Sequence, residues 1–331
     1  MKITIRSVAQ EAGVSIATVS KVINHTGKIS EKTKKKVLVA MEKLNYKPDA
    51  AAASLRGKRT KLIGLLVPDV SNPFYSEIAR SIEDRSHELG LNVMMCNTDN
   101  EVKKEKTYLS LLTSQRVDGV VVASAFRSTH LLEEMINKGV PSVLIASEIP
   151  SLSINTVTVD DYKGGYLATS YLLSLGHNKI GIISEDVRSN TPRLAAYKDT
   201  MQEAKLPIRD EYIIKTEATI QKGYESAKQL LSLDDKPTAI FACNDLLAAG
   251  VIQAAKEAKL NLPEDLSIVG FDNTVLSTTT SPMLTTVSQP MKEMGAKVVD
   301  LLLQEMEESK PHKERLLLSP ELVIRQSTAR F

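Results

Sequence analysis

The sequence predicts a small all-helical front end followed by an α/β core of two doubly wound parallel sheets. Three observations carry this reading. Two short amphipathic segments flank a glycine within residues 3 to 24, the first 60 residues differ sharply in charge from the rest, and from Lys61 onward β-branched runs alternate with helical patterns. With 331 residues and 42% hydrophobic content, the chain is long enough for one small and one large domain, or for three compact units.

In the first segment Ile5, Val8, Ala9 and Ala12 fall at i, i+3, i+4 and i+7, the apolar stripe of a helix that Thr4 caps and Gly13 ends. Ser15 caps a second helix. Its Val19, Val22 and Ile23 face inward, leaving Ile16, Ala17, Ser20, Lys21 and Asn24 outside. A third helix is predicted from Ser30 to about Leu44, with Val37, Met41 and Leu44 inward and Lys32, Lys34, Lys35 and Lys36 outward. Two short helices around a glycine occur in ordinary helical cores, but they also make a helix-turn-helix, whose second helix offers small or hydrogen-bonding groups to the major groove. Residues 1–46 are therefore a candidate DNA-reading headpiece. Residues 47–60 follow as a hinge with a proline, an alanine run, Leu55 and a basic end; either they form a solvated linker, or the short Ala50 to Leu55 helix orders when DNA holds it.

Charge favours DNA. Residues 1–60 hold 13 Lys plus Arg against 4 Asp plus Glu, a net of +9, whereas the remaining 271 hold 29 against 36, a net of −7. The near-neutral total hides a basic module of the kind that neutralises phosphates.

From Lys61 to Phe331 the segments LIGLLVPD, LNVMMCNTD, VDGVVVAS, PSVLIAS and INTVTVDD read as buried strands between helices such as FYSEIARSIEDRSHELG. A second set, KIGIIS, EYIIKTE, TAIFACND and LSIVGFDN, repeats the pattern with RLAAYKDTMQEA and DLLAAGVIQAAKEA between them. Two such sheets leave a cleft at their strand carboxyl ends, where open α/β folds bind ligands. No signal-peptide pattern and no run of 18 apolar residues is present, so a cytoplasmic protein without a membrane segment is expected. Cys96 and Cys243, each near a strand end, have no metal or disulfide spacing and read as buried thiols. Walker, GxGxxG, HExxH and G-x-S-x-G patterns are absent, and His25, His87, His130, His177 and His312 are scattered; the expectation is no enzyme, no cofactor and no metal. His177, at a helix-to-strand junction, reads as a cap on backbone carbonyls.

The segments VAQEAGVSIATVSKVIN, TKKKVLVAMEKLNYKPDAAAASL, LIGLLVPDVSNPFYSEIARSIE, RVDGVVV, LSLGHNKIGII, PTAIFACNDLLAAGVIQAAKE, LSIVGFDN and LTTVSQP together resemble the lactose and galactose repressor (LacI/GalR) family of bacterial transcription regulators, near its catabolite-control branch. The resemblance spans essentially the whole chain. It implies a repressor that binds a pseudo-palindromic double-stranded operator as a homodimer, with a type I periplasmic-binding-protein-like core that senses a small-molecule effector. The core would divide into one subdomain of about residues 61–160 and 290–318 and another of about 161–289 and 319–331. Because the chain stops directly after VIRQSTARF, without the leucine-heptad helix of tetrameric members, a dimer is expected. A phosphorylated carrier protein as coregulator is the alternative. A solute-binding protein, the competing class for the core, does not account for the headpiece.

Carried over residue by residue, the resemblance places base reading on Ile16, Ala17 and Lys21, and phosphate contacts on Thr18, Ser20 and Asn24. Thr4, Ser15 and Arg56 complete the candidate DNA contacts, and Leu55 matches a leucine wedged into the minor groove. Lys21 could donate to guanine O6 or N7 or merely neutralise a phosphate, and Leu55 could instead pack in the core. Effector contacts fall on Asn72, Phe74, Arg193, Asn244, Asp245, Asp272 and Gln289, each expected where a strand ends. Such a set brackets a polyol or an anion, with Phe74 as a stacking face; the alternative for Arg193 and Asp272 is a structural ion pair. Three departures matter. Ala218 stands where an aromatic is common, Ala146 or Ser147 where a sugar-binding Asp or Arg is found, and Asp300 where the catabolite-control branch uses an arginine against the carrier's phosphate.

Overall fold

A computed structural model describes residues 3–24, 26–46, 59–123, 126–187, 189–307 and 312–331. The chain separates into two compact units, Met1–Thr60 and Lys61–Phe331.

In the first unit, helices α1 (Ile5–Ala12), α2 (Ile16–Ile23) and α3 (Glu31–Lys43) form where local chemistry starts and stops them. Thr4 N donates to Ser7 Oγ at 3.3 Å, and Gly13 closes α1 at φ 64°, a left-handed conformation that glycine adopts without a Cβ penalty. Ser15 Oγ accepts from Thr18 N at 3.1 Å and Ser30 Oγ from Thr33 N at 3.3 Å, so each cap satisfies a backbone donor that the helix leaves unpaired. Val8, Ala9, Val19, Val22, Val37 and Ala40 make the buried core, with Ile5, Ile23, Met41 and Leu44 half-buried against it. Lys43 Nζ donates to Glu11 at 2.5 Å and ties α3 to α1.

The second unit contains two six-stranded sheets. In the first lobe run β1 (Leu62–Val67), α4 (Pro73–Glu88), β2 (Asn92–Asn97), α5 (Val102–Ser114), β3 (Gly119–Ala123), α6 (Thr129–Asn137), β4 (Ser142–Ile145) and β5 (Asn155–Val159). In the second run α7 (Asp161–Ser174), β6 (Ile180–Glu185), α8 (Asn190–Glu203), β7 (Ile213–Thr216), α9 (Ile220–Leu231), β8 (Ala239–Ala242), α10 (Asp245–Glu257), β9 (Ser267–Asp272), the short α11 (Leu276–Thr279) and β10 (Thr285–Ser288). The chain then returns through α12 (Met291–Met306) and β11 (Arg315–Leu318) to the first sheet and ends through β12 (Glu321–Val323) in the second. Strand orders are β11-β5-β4-β3-β1-β2 and β12-β10-β9-β8-β6-β7. All pairings are parallel except that of β12 with β10, which is antiparallel. The second sheet thus departs from the all-parallel expectation at one edge, because a strand arriving over a two-residue connection from the neighbouring sheet has no crossover helix to reverse it.

Both faces of each sheet carry buried apolar clusters, as βαβ crossovers require. The sequence pattern did not mark β10, β11 or β12: they are three or four residues long, and β11 alternates between exposed and half-buried positions. The chain passes between the lobes at Asp160, Gln289–Pro290 and Ser319–Pro320. Two of these passages are tied together, by Asp160 N donating to Leu318 O at 2.8 Å and Lys163 Nζ to Ser319 Oγ at 2.6 Å.

Cys96 and Cys243 are buried thiols, and burial pushes the pKa of both up. His177 bonds Thr238 Oγ1 at 3.0 Å and Ala329 O at 3.1 Å. The backbone carbonyl it meets belongs to the C-terminal tail, which it fastens, and burial lowers its pKa. Among the described residues no helix is long and apolar enough to cross a membrane, and no group of three His, Cys, Asp or Glu is placed to hold a metal ion.

Candidate functional site

On the headpiece, the caps leave a polar-rimmed outer face on α2. Ile16 is 44% exposed, beside exposed Ala17 and Lys21. Thr18, Ser20 and Asn24 are half-buried: Thr18 Oγ1 lies 2.9 Å from Ser15 Oγ, and Asn24 Nδ2 donates to Ser20 Oγ at 3.1 Å. Hydroxyls and an amide of this kind can position a phosphate, and Ile16, Ala17 and Lys21 are the side chains beside them that α2 leaves exposed. Thr4 lies at the exposed start of α1. Lys32, Lys35 and Lys36 are exposed on α3. Leu55 and Arg56 lie outside the described residues.

In the core, four strand ends and two helix starts of the second lobe meet around Arg193. The residue is expected at a strand end but lies near the start of α8, where it is 5% exposed. Its ion-pair partner is Asp161, not Asp272. Arg193 Nε and Nη2 both donate to Asp161 Oδ1, at 2.8 and 2.7 Å, Nη1 donates to Cys243 O at 2.5 Å, and the guanidinium stacks 3.5 Å above the Phe271 ring. Gly165 in α7 explains the placement, since a Cβ there would lie 2.6 Å from the Arg193 carbonyl oxygen. Helices α7 and α8 therefore touch through backbone, which brings Asp161 within reach of Arg193.

Asp272 and Glu185 join the same cluster. Asp272 Oδ1 accepts from Gln289 Nε2 at 2.7 Å, and Glu185 Oε2 from Asn244 Nδ2 at 3.0 Å. Asn244 Oδ1 also caps α10 by accepting from Leu247 N at 2.8 Å. Burial raises the pKa of Asp161 and of Glu185, with Arg193 pulling each back, and it holds Asp272 well above the carboxylate range. Three carboxyl groups thus surround one guanidinium, whose bonds go to Asp161 and to the Cys243 carbonyl.

The remaining predicted contacts have other hydrogen-bond partners. Asp245 is buried and spent on the scaffold: Oδ1 accepts from Thr286 Oγ1 at 2.7 Å, and Oδ2 from Thr274 N at 2.7 Å and Thr274 Oγ1 at 2.9 Å. Burial pushes its pKa up to about 6 against those bonds. A Cβ at Gly270 would sit 2.6 Å from Asp245 Oδ1, so the sheet leaves room for this carboxylate and nothing more. Asn72 in the first lobe caps α4, its Oδ1 accepting from Phe74 N at 3.0 Å. Phe74 does not offer the open stacking face expected of it. It is 7% exposed, packed in the first-lobe core and edge-on to Tyr75 at 5.0 Å, because the next helical turn needs its ring as a core residue. The aromatic that does stack is Phe271. Asp161, Glu185 and Phe271 were missed by sequence reasoning, although VDDYKG and IISED each put a carboxylate where a strand gives way to a helix.

The family model for bacterial regulatory proteins of the lacI family matches residues 4–49, and that for a periplasmic binding protein-like domain matches residues 169–328. The HTH-type transcriptional regulator DegA of Bacillus subtilis (strain 168) is 45% identical over 99% of this chain and 99% of its own. Catabolite control protein A of Priestia megaterium is 39% identical over 99% and 100%. The crystal structure of the lac repressor dimer bound to operator and the anti-inducer ONPF superposes with a TM-score of 0.89 at 30% identity, covering 99% of this chain and all of that one.

Proposed function

The chain belongs to the lacI family of bacterial regulatory proteins and is a helix-turn-helix transcriptional regulator, and from that premise we propose that it represses transcription as a cytoplasmic homodimer on a two-fold operator. It acts by binding, not catalysis. The observation that carries the reading is the α2 surface, which exposes Ile16, Ala17 and Lys21 beside the hydroxyls of Thr18 and Ser20, each in contact with a neighbouring side chain. Leu55 serves as the minor-groove wedge. Operator selection from random DNA tests this, and Lys21→Ala refines it: discrimination at one base pair per half-site should fall by about 1–3 kcal/mol. Equal weakening on every sequence would reduce Lys21 to a phosphate contact.

The core cleft takes a small-molecule effector through Asp161, Glu185, Arg193, Asp272 and Gln289, with Asn244 orienting Glu185. Three carboxyl groups stand against a single guanidinium, which gives bonds to Asp161 and to the Cys243 carbonyl, while Gln289 and Asn244 each give one, to Asp272 and Glu185 respectively. A site with acceptors to spare favours a donor-rich, uncharged ligand such as a polyol over a phosphate or carboxylate. Asp245 acts as scaffold.

A carrier-protein coregulator is the second reading, favoured by the likeness to catabolite control protein A. Asp300 weighs against it. It is not a bare charge, since Arg85 of α4 pairs with it at 2.7 Å, yet the pair leaves a carboxylate where a phosphate would need a cation. Calorimetry on the full chain separates the two. Neutral polyols should bind and sugar phosphates should not, and Asp272→Ala should weaken binding by about 1.5–3 kcal/mol, the value of a charged hydrogen bond. Micromolar binding of a phosphorylated carrier that survives Asp272→Ala would establish the second reading instead.

A further inference from the structure

The turn that carries Asp272 is held from a distance. Asp272 and Asn273 are consecutive non-glycine residues at positive φ, 107° and 60°, a backbone that persists only where its surroundings over-determine it. Asn273 supplies that control. Its Oδ1 accepts from Arg325 Nη2 at 2.6 Å and from Ser277 Oγ at 3.0 Å, and its Nδ2 donates to Ser288 Oγ at 3.1 Å. Arg325 follows β12 in the last part of the chain and is itself fixed, its N donating to Thr285 Oγ1 at 2.9 Å and its Nη1 to Leu284 O at 2.7 Å. One guanidinium therefore joins the start of β10 to the left-handed residue directly after the cleft carboxylate.

We propose that Arg325 is a positioning residue: by clamping Asn273 it holds the left-handed turn that keeps Asp272 against Gln289 and beside Arg193. Its functional meaning rests on the reading of Asp272 as an effector contact, but the clamp is testable without a ligand. Asp272 is faced by Gln289 of the crossover, Arg193 of α8, Asp245 of α10 and Glu185 of β6, with burial dominant. A carboxyl whose folded pKa is raised binds more protons in the folded than in the unfolded state, so the stability it confers is present at low pH and lost as pH rises through the folded pKa. The difference in Tm between the protein and its Asp272→Asn variant therefore shifts with pH.

The experiment is that difference, measured from acid to neutral pH in the Arg325→Ala, Arg325→Lys and Asn273→Gly backgrounds. Arg325→Ala should let the carboxylate turn to solvent and remove at least about half of the pH dependence, and Arg325→Lys should restore part of it. In the Asn273→Gly background, where the acceptor is gone and glycine takes the turn without strain, Arg325→Ala should lower Tm through its lost bond to Leu284 O but leave the pH dependence as it is. Should Arg325→Ala fail to fold, the lysine and glycine variants carry the comparison. A Tm lowered equally at every pH, with the pH dependence intact, would make Arg325 a general structural residue and overturn the proposal. Because the readout reports where the carboxylate sits and not what touches it, failure of the effector reading would appear separately, as unchanged ligand affinity in Asp272→Ala.

Discussion

Raising monovalent salt from about 50 to 200 mM should weaken operator binding by roughly three to four orders of magnitude, with log K falling against log salt at a slope of roughly −5 to −7 if a dimer neutralises about 6 to 8 phosphates. The basis is the net of +9 over residues 1–60, including exposed Lys21, Lys32, Lys35 and Lys36. Each phosphate neutralised releases a condensed counterion, and that release weakens as salt rises. The core, at −7, contributes no such attraction. Fluorescence anisotropy on a selected operator across this range measures the slope; a flat response would mean that the basic face is merely solvated.

Arg193→Ala should lower stability by about 3–5 kcal/mol near neutral pH, because it removes one partner of a buried pair and strands the others. Asp161, Glu185 and Asp272 would then share a buried site without a cation. All three already have raised folded pKa values, and losing Arg193 raises them further. Groups raised in this way bind more protons folded than unfolded, so the variant loses stability as pH rises from the ordinary carboxylate range through those folded values. Urea melts at mildly acidic and mildly alkaline pH should show the smaller deficit in acid. An equal deficit at both would show that the loss is packing over Phe271 and not charge.

Features set by a few neighbouring residues were readable in the sequence. Ser15, Ser30 and Gly13 fixed helix ends because caps act within one turn, and the long β-branched runs showed as strands. The pairing inside the cleft was not readable. Arg193 meets Asp161, 32 residues earlier, because Gly165 lets two helix backbones touch, and no local period encodes that approach. Asp245 shows the converse. Its neighbour Asn244 belongs to the cleft cluster, but one residue later the side chain turns under the sheet to Thr274 and Thr286. Adjacent positions in a strand-to-helix turn face different surroundings, so a motif locates the turn without dividing labour within it.

The late return of the chain through β11 and β12 sets the order in which this molecule completes itself during synthesis. The first lobe has five of its six strands once Val159 has emerged, yet β5 keeps a bare edge until Arg315–Leu318 arrives, and β10 waits likewise for Glu321–Val323. Contacts of such long sequence separation form slowly, and an unpaired strand edge is a template for another chain. A nascent chain therefore carries one unfinished edge throughout the synthesis of residues 160–314, and neither lobe closes before its returning strand has been made. Ribosomes stalled just before the codon for Arg315 should accordingly hold two association-prone lobes that each lack an edge strand, with the tail that carries Arg325 not yet made.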